Sequence, residues 1–485
     1  MPLERRDLFT DVLIIGNGGA GLRAAIEAAD RGRRVLVLSK LAEDRPNATT
    51  LILGWGAHRE AHEVDEYFAE VVAESNWLCD QELAWAYASE VPVRMPELRD
   101  FGVDMRLEEA EQERPGVVRP LWYLPGPRGR VGESVSQALR RAAIDRGAEL
   151  RYDTQVTGLL TRDGAVVGVV AVDAATGGVL VISAAAVILA TGGSSRLYAR
   201  NNNPAGTTGD GFALAYRAGA ELMDLEFDTF CVPHPQLNQL YRDGSSEAEI
   251  LATASGAHYS CGGIRVDTER RTSLPGLYAA GECAGGTFGA ARLGSTSVAE
   301  IVISGYWAGH GAAAAAGRSP APAEPGQVEA EITRLAHWLD AGRRDPEQVR
   351  NEIREVMWRR AGPVRREETL SRAGAELAEL QSRSRDLKAS SGPELCAAAE
   401  VDLMLDAARP IAAAARARTE SRGAHWRLDC PEPDNDRWLV NQVVRMGADG
   451  APELEERPVA LTRLAAAGVC KVGTRWSWGY VGDPD

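Results

Sequence analysis

The residues best suited to chemistry in this 485-residue chain form a glycine-rich turn, Gly16-Asn17-Gly18-Gly19-Ala20-Gly21. The turn follows the apolar run 11–16 and precedes a stretch with helical periodicity. Glycines let a backbone approach a diphosphate closely, and the following helix points free N–H groups and its positive dipole end at that diphosphate. In this context the motif predicts a bound dinucleotide; a glycine turn without a ligand is the alternative.

The residues after the predicted strands favour FAD over NAD. NAD-binding domains usually carry an acid at the end of the second strand, whereas this chain has Ser39 and Lys40 there. Two later strands also end in small residues, at Ala190-Thr191-Gly192 and just before Glu282. Such strand ends suit a chain that passes close to an extended cofactor, and Glu282 could accept a hydrogen bond from a ribitol hydroxyl.

The elements that must position these residues follow an α/β order. Strand, glycine turn, helix and strand run through residues 11–40, and we expect 63–112 to be helical and 113–130 to form a loop. The next segment is β-rich, with hairpin turns predicted at 163–164 and 176–178. A proline-rich linker then leads into a charged helical region and a strand-prone end.

Composition excludes several functional classes. The chain has 54 Lys+Arg against 69 Asp+Glu, a net charge of −15, which lacks the basic footprint of nucleic-acid or anionic-membrane binding. No apolar run reaches membrane-spanning length, so we expect no integral membrane protein and a cytoplasmic location. The seven cysteines are scattered, which fits reduced thiols and predicts no metal site.

Six ordered segments, spread over about residues 11 to 445, resemble one known family. They read DVLIIGNGGAGLRAAIEAADRGRRVLVLSK, ATGG, TTGDGFALAYRAGAELMDLEF, HYSCGGIRVD, GLYAAGECAGGTFGAARLGSTSV and ESRGAHWRLDCPEPDNDRWLV. Together they resemble the flavoproteins of succinate dehydrogenase, fumarate reductase and L-aspartate oxidase. The resemblance implies a Rossmann-like FAD-binding domain of the glutathione-reductase type, with a reduced capping segment and a C-terminal helical domain.

The resemblance also divides the chain into regions. The FAD-binding domain is expected in two parts, 1–234 and 258–318, separated by a truncated capping segment at 235–257. A helical domain (327–420) and an irregular or β tail (421–485) follow.

The family's flavin contacts can be carried over position by position. They fall on Gly16, Gly18, Gly19, Ala20, Gly21, Ser39, Lys40, Thr49, Thr50, Gly54, Val156, Ala190, Thr191, Gly192, Asp210, Glu282, Ser297 and Val298. Respiratory members attach FAD to a histidine in an RSHT-like segment, and this chain reads RPNATT at 45–50. The resemblance therefore implies FAD that is bound without a covalent bond.

The resemblance further implies a substrate site. His258 and Arg292 match a family histidine and the arginine that clamps a carboxylate, and His234 takes the place of a second histidine with altered spacing. The alternatives without a catalytic role are a core histidine with satisfied hydrogen bonds for His258 and a structural salt bridge for Arg292. The family's asparagine before the arginine is Ala291 here, which removes an amide beside the clamp.

The chain departs from the family where a capping domain should close over the substrate. Only 22 residues separate Pro235 from His258, and Arg242 is the one arginine among them. We expect an FAD-dependent oxidoreductase that moves a hydride between flavin and a small, anionic, carboxylate- or amine-bearing substrate. The alternatives are an electron-transfer subunit completed by a partner such as an iron–sulfur protein, and a flavin-stabilised scaffold. An exposed flavin edge would also suit a homo-oligomer.

Overall fold

The computed structural model describes most of the chain between residues 3 and 464. The positions left out in this range are 53, 112–117, 127–129, 231–239, 241–242, 244–245, 247–248, 250–251, 253, 255, 318–320 and 341. Among the described residues, no helix is both long enough and apolar enough to cross a membrane.

Strands and helices alternate through the first half of the chain, and helices dominate the second. The strands are β1 (Arg5–Ile15), β2 (Val35–Leu38), β3 (Trp55–Gly56), β4 (Arg106–Glu111), β5 (Val118–Tyr123), β6 (Glu149–Arg151), β7 (Thr154–Arg162), β8 (Ala165–Asp173), β9 (Val179–Leu189), β10 (Leu222–Met223), β11 (Asp228–Thr229), β12 (Tyr259–Ser260), β13 (Gly263–Arg265), β14 (Leu277–Ala279), β15 (Ala284–Gly285), β16 (Val440–Met446) and β17 (Pro452–Pro458). The helices are α1 (Gly19–Asp30), α2 (Val64–Glu74), α3 (Gln81–Asp100), α4 (Glu133–Asp145), α5 (Asp210–Arg217), α6 (Ser297–Ala315), α7 (Gln327–Asp340), α8 (Pro346–Ala361), α9 (Glu367–Ser384), α10 (Gly392–Ala417) and α11 (Asn435–Trp438).

A parallel sheet in the order β6-β2-β1-β9-β14 forms the centre of the fold. Its middle strands are unbroken apolar runs because both faces are covered, and Val12, Leu13 and Ile14 of β1 have no exposed surface. Helices α1 and α6 cover one face, and Leu13 and Ile15 on the other face cluster with residues of the β7–β8 hairpin. Helices α1 and α6 pack closely, since a Cβ on Gly305 would lie 2.5 Å from the Ala20 carbonyl oxygen. The expected α/β fold is confirmed.

The two predicted hairpins are present. β7 and β8 pair antiparallel around Asp163 and Gly164, whose φ angles of 50° and 76° suit a two-residue turn of the type favoured between twisted strands. β8 and β9 are likewise antiparallel, and the turn that joins them includes Gly177.

The expectations for residues 63–112 and 113–130 were wrong in part. Helices α2 and α3 are present, but the chain then forms β4, and β5 lies where a loop was expected. β4 is rich in charged residues with good helix propensity, yet it pairs antiparallel with β5, so pairing with a partner strand decides its conformation. Leu121 and Trp122 of β5 are buried, which gives this small sheet a reason to form.

Between residues 327 and 417 the described chain is mostly helical, as expected for 327–420. Helix α10 runs for 26 residues and lies against α5, α8, α9 and the β7–β8 hairpin. This packing brings α10 next to the carboxyl ends of the central strands.

The C-terminal segment returns to the first half of the chain, because β16 pairs with β10 as well as with β17. Arg418, fully buried, bonds the carboxylates of Glu226 and Glu420 at 2.7 and 2.9 Å. Arg422 donates to Glu420, and His425 is fully buried with its Nδ1 2.6 Å from an Arg365 nitrogen. These contacts are structural links between distant segments.

Candidate cofactor and substrate site

A cleft of about 900 Å³ opens where the parallel strands β1, β2 and β9 end. This edge of an open α/β sheet is the usual place for a ligand. The residues around the cleft come from the strand ends, the glycine turn, the segment near Thr49 and the start of α5. The predicted cofactor residues among them are Gly16, Gly18, Gly19, Ala20, Ser39, Lys40, Thr49, Val156, Ala190, Thr191, Gly192, Asp210 and Glu282.

The glycine turn brings two strand ends into contact. Gly16 has a φ of +112°, and a Cβ there would lie 2.2 Å from the carbonyl oxygen of Ala190. Helix α1 starts at the cleft, and Gly18, the residue before it, has no side chain that could cap the helix. The Gly19 amide donates to Thr49 Oγ1 over 2.8 Å. The backbone of the turn and the positive end of α1 therefore face the cleft. This arrangement suits the binding of a diphosphate.

Lys40 stands between two carboxylates at the wall of the cleft. Its Nζ lies 2.9 Å from Asp210 Oδ2 and 2.7 Å from Glu400 Oε2, and it also donates to Thr208 Oγ1. Burial lowers the pKa of the ammonium, but the two carboxylates outweigh burial, so the pKa is raised and Lys40 is charged.

Glu282 presents a carboxylate to the cleft. Its Oε1 accepts a hydrogen bond from the Ser260 amide over 3.0 Å. Burial raises the pKa of Glu282 to about 7, and the Ser260 bond opposes this only in part. A partly desolvated carboxyl with remaining acceptor capacity fits a hydroxyl donor such as the ribitol chain of FAD.

Five predicted cofactor residues lie outside the cleft lining. Gly21 sits under the turn, where a Cβ would be 2.0 Å from the Gly16 oxygen, and Thr50 donates to the Asn47 carbonyl over 2.7 Å. The remaining three are close to the start of α6: Gly54 precedes β3, Ser297 and Val298 begin α6, and the Ala57 amide donates to the Ser295 carbonyl over 2.9 Å.

His258 and Arg292 come together beside the Glu282 end of the cleft. Arg292 is 4% exposed, and its guanidinium carbon lies 4.3 Å from the ring centre of Tyr259. Burial lowers the pKa of His258, and the positive charge of Arg292 lowers it further, to about 4. Neither residue lines the cleft itself. Strand β12, which follows His258 and carries the Tyr259 ring beside Arg292, is joined to the cleft wall by the bond from Ser260 to Glu282. His234 and Arg242 lie outside the described residues.

Several polar residues of the site were not predicted. Glu400 pairs with Lys40, and Gln155 Nε2 donates to Asp210 Oδ2 over 3.2 Å. Asn202 and Asn203 contact His258. The run of three asparagines at 201–203 was a visible signal for the last two, whereas nothing in the sequence distinguished Glu400 from other acids of the helical region.

Two family models match most of the chain. The family model described as "FAD binding domain" matches residues 11–240 and 237–298, and "Fumarate reductase flavoprotein C-term" matches 350–475. The fumarate reductase flavoprotein subunit of Mycobacterium tuberculosis is 29% identical over 93% of this chain and 97% of the relative. L-aspartate oxidase of Mycobacterium bovis is 31% identical over 91% of this chain and 96% of the relative.

The fold comparison points the same way. A solved structure of E. coli quinol fumarate reductase FrdA superposes with a TM-score of 0.86 at 25% identity, over 97% of this chain and all of that chain. The alignment with the M. tuberculosis relative extends over 571 positions against 485 residues here, so at least 86 of them have no counterpart in this chain. The two matches to the FAD binding domain meet at 237–240, within the short segment between Pro235 and His258.

These matches confirm the resemblance carried by the six ordered segments and the expectation of FAD as cofactor. The chain belongs to the fumarate reductase and L-aspartate oxidase flavoprotein family and is an FAD-dependent oxidoreductase.

Proposed function

We propose that this flavoenzyme transfers a hydride between FAD and a small substrate that carries a carboxylate or an amine. The observation that carries the proposal is the position of Arg292, buried against Tyr259 and close to the half-buried His258 beside the Glu282 end of the cleft. When bound, FAD would supply the hydride acceptor or donor. The protein supplies a cationic anchor and a neutral imidazole next to it.

Arg292 would clamp the anionic group of the substrate. Its Nη1 donates to Thr296 Oγ1 and to the Leu293 carbonyl, each over 3.3 Å, which fixes the plane of the guanidinium. A fixed planar fork can give two parallel hydrogen bonds to a carboxylate, and lysine cannot reproduce that geometry. His258 would orient the reacting part of the substrate.

The residues proposed to hold FAD are the thirteen that line the cleft, with Gly21, Thr50, Gly54, Ser297 and Val298 adjacent. We propose that FAD is bound without a covalent bond. The segment that carries the histidine attachment in respiratory relatives forms a short 3₁₀ turn here, in which Asn47 Oδ1 accepts from the Thr49 amide. No histidine is among the residues that line the cleft in the described part of the chain.

A second candidate is a flavoprotein subunit whose site is covered by a partner, such as an iron–sulfur protein that exchanges electrons with FAD. The specific observation in its favour is the break in the family match at 237–240, where this chain has too few residues for a capping domain. A partner that covers the site would exclude water from it, as a lid does.

We place the protein in the cytoplasm, in keeping with free thiols at Cys79, Cys261 and Cys283.

The test begins with the absorption spectrum of the purified protein before and after acid precipitation. Release of FAD to the supernatant is expected; flavin in the pellet would contradict non-covalent binding. Anaerobic bleaching of the flavin band is then measured with dicarboxylates, amino acids and hydroxy acids. Bleaching that is lost in Arg292→Lys, with FAD content unchanged, supports the hydride-transfer proposal. No bleaching by any compound, together with co-purification of an iron–sulfur protein, would favour the second candidate.

A further inference from the structure

Two neighbouring asparagines hold His258 through an ordered set of hydrogen bonds. Asn203 Nδ2 donates to the backbone carbonyl oxygen of His258 over 2.6 Å and to Asn202 Oδ1 over 3.2 Å. His258 Nδ1 lies 3.0 Å from the same Asn202 Oδ1. The three contacts share atoms, so the role of each atom constrains the next.

The donor and acceptor roles of these atoms can be assigned in order, starting from the His258 carbonyl oxygen. A carbonyl oxygen can only accept, so the Asn203 atom that faces the His258 backbone must be the amide nitrogen. That nitrogen also faces Asn202, so the Asn202 atom must be the oxygen. Because this oxygen only accepts, His258 Nδ1 must carry the hydrogen, and the lone pair of the neutral ring is then on Nε2.

We propose that Asn202 is a positioning residue that fixes His258 in the tautomer whose Nε2 accepts, so that His258 receives a hydrogen bond or a proton from the substrate. The proposal rests on the hydride-transfer function proposed above and deepens it. A substrate that uses both groups offers a carboxylate to Arg292 and an amine or hydroxyl to His258. Such a substrate is an amino or hydroxy acid rather than a saturated dicarboxylate.

The oxidation balances with these groups. In an ammonium-bearing substrate, the C–H bond breaks and its hydride goes to FAD, one N–H bond breaks and its proton goes to His258 Nε2, and a C=N bond forms. The charge of Arg292 contributes to the low pKa of His258. A substrate carboxylate on Arg292 would screen that charge, so the imidazole becomes a better base when substrate is bound.

The test uses full-length protein with FAD bound. Long-range ¹H–¹⁵N spectra of histidine-labelled protein, with His258 assigned through His258→Gln, should show Nδ1 protonated and Nε2 unprotonated. Asn202→Leu removes the acceptor and should yield a mixture of tautomers. Asn202→Asp keeps the acceptor and should preserve the tautomer. A protonated Nε2 in the wild type would overturn the proposal whether or not the protein turns over any compound.

The second measurement is the rate of flavin bleaching. Amino or hydroxy acids should bleach the flavin faster than succinate, and Asn202→Leu should lower kcat/KM by roughly 10²-fold, mainly through kcat. Asn202→Asp should recover most of this loss. The matched control is Asn201→Ala, whose amide bonds the Tyr198 carbonyl and not His258. Faster bleaching by succinate, or equal losses in Asn201→Ala and Asn202→Leu at unchanged FAD content, would contradict the proposal.

Discussion

Lys40 Nζ and Glu400 Oε2 lie 2.7 Å apart, and this ion pair joins the wall of the cleft to the longest helix of the C-terminal region. Asp210 bonds the same ammonium over 2.9 Å, so one cation sits between two carboxylates. The exposed fractions of the Lys40 and Glu400 side chains are 14% and 16%, which limits solvent screening. The other oxygen of Glu400, Oε1, accepts from Arg350 Nη2 over 2.9 Å, so Glu400 has a second cation beside it.

We expect Lys40→Met to lower the stability of cofactor-free protein by about 3 kcal/mol, because it leaves the buried Asp210 carboxylate without its cation and close to Glu400. Glu400→Gln should cost only about 1 kcal/mol, since Asp210 still pairs with Lys40 and Glu347 still pairs with Arg350. The double variant should lose less than the sum. Thermal unfolding checks this, with the exposed Glu149→Gln as a control that has the same charge change as Glu400→Gln. A greater loss in Glu400→Gln than in Lys40→Met would contradict the arrangement.

Gly16 gives a second prediction, because its Cβ would meet the Ala190 oxygen at 2.2 Å and its φ is +112°. Gly16→Ala should destabilise the protein by about 3–5 kcal/mol and abolish FAD binding. Gly147→Ala is the matched control, since Gly147 has a φ of +88° with nothing within 4 Å of the added Cβ. That variant should cost about 1 kcal/mol and retain FAD. Similar losses of Tm and FAD content in both would show that backbone conformation alone matters.

The parts of the site that the sequence predicts are those built from local pattern. Gly16 and Glu282 each stand at the end of an apolar strand, and parallel strands bring such ends to one edge of a sheet. Glu400 could not be predicted in the same way, because its place depends on how α10 packs against α5 and the β7–β8 hairpin. Asn202 meets His258 across 56 positions of sequence, and residue type alone does not specify such a contact.

Glu282 predicts a pH dependence of stability in the cofactor-free protein. Its pKa is raised to about 7 by burial, from an ordinary value of 4.5, so the folded state binds its proton more tightly than the unfolded state. The protonated carboxyl stabilises the fold fully below about pH 4.5. That contribution is lost as pH rises through 7.

Glu282→Gln removes the loss of stability with rising pH, because a glutamine side chain stays neutral. Its amide oxygen can still accept from the Ser260 amide. Relative to the wild type, the variant should gain about 2 kcal/mol between pH 5 and pH 8. The measurement is the difference in Tm at the two pH values without FAD, with Glu149→Gln as the exposed control. With FAD present, the variant should bind cofactor more weakly. A Tm difference that does not change with pH would refute the raised pKa.

Arg270 and Glu300 form a buried pair behind Gly281 of the cleft, with 3.9 Å between Arg270 Nη1 and Glu300 Oε1. Their side chains are 1% and 3% exposed. Within the described part of the chain, neither carboxylate oxygen of Glu300 has a hydrogen-bond partner. Burial raises the pKa of Glu300, and Arg270 opposes this only in part. A buried pair without a hydrogen bond between its two charged groups gains too little attraction to offset the desolvation of both charges.

Arg270→Met should therefore cost about 3 kcal/mol at pH 8, because it removes the cation that faces the buried Glu300 carboxyl. The cost relative to the wild type should shrink at pH 5, because the raised pKa lets Glu300 take up a proton as pH falls. The double variant Arg270→Met/Glu300→Leu should be within about 1 kcal/mol of the wild type, or more stable, since it buries no charge. Tm values of the three proteins at both pH values decide the matter. Additive losses in the double variant would mean that the two charges do not act as a pair.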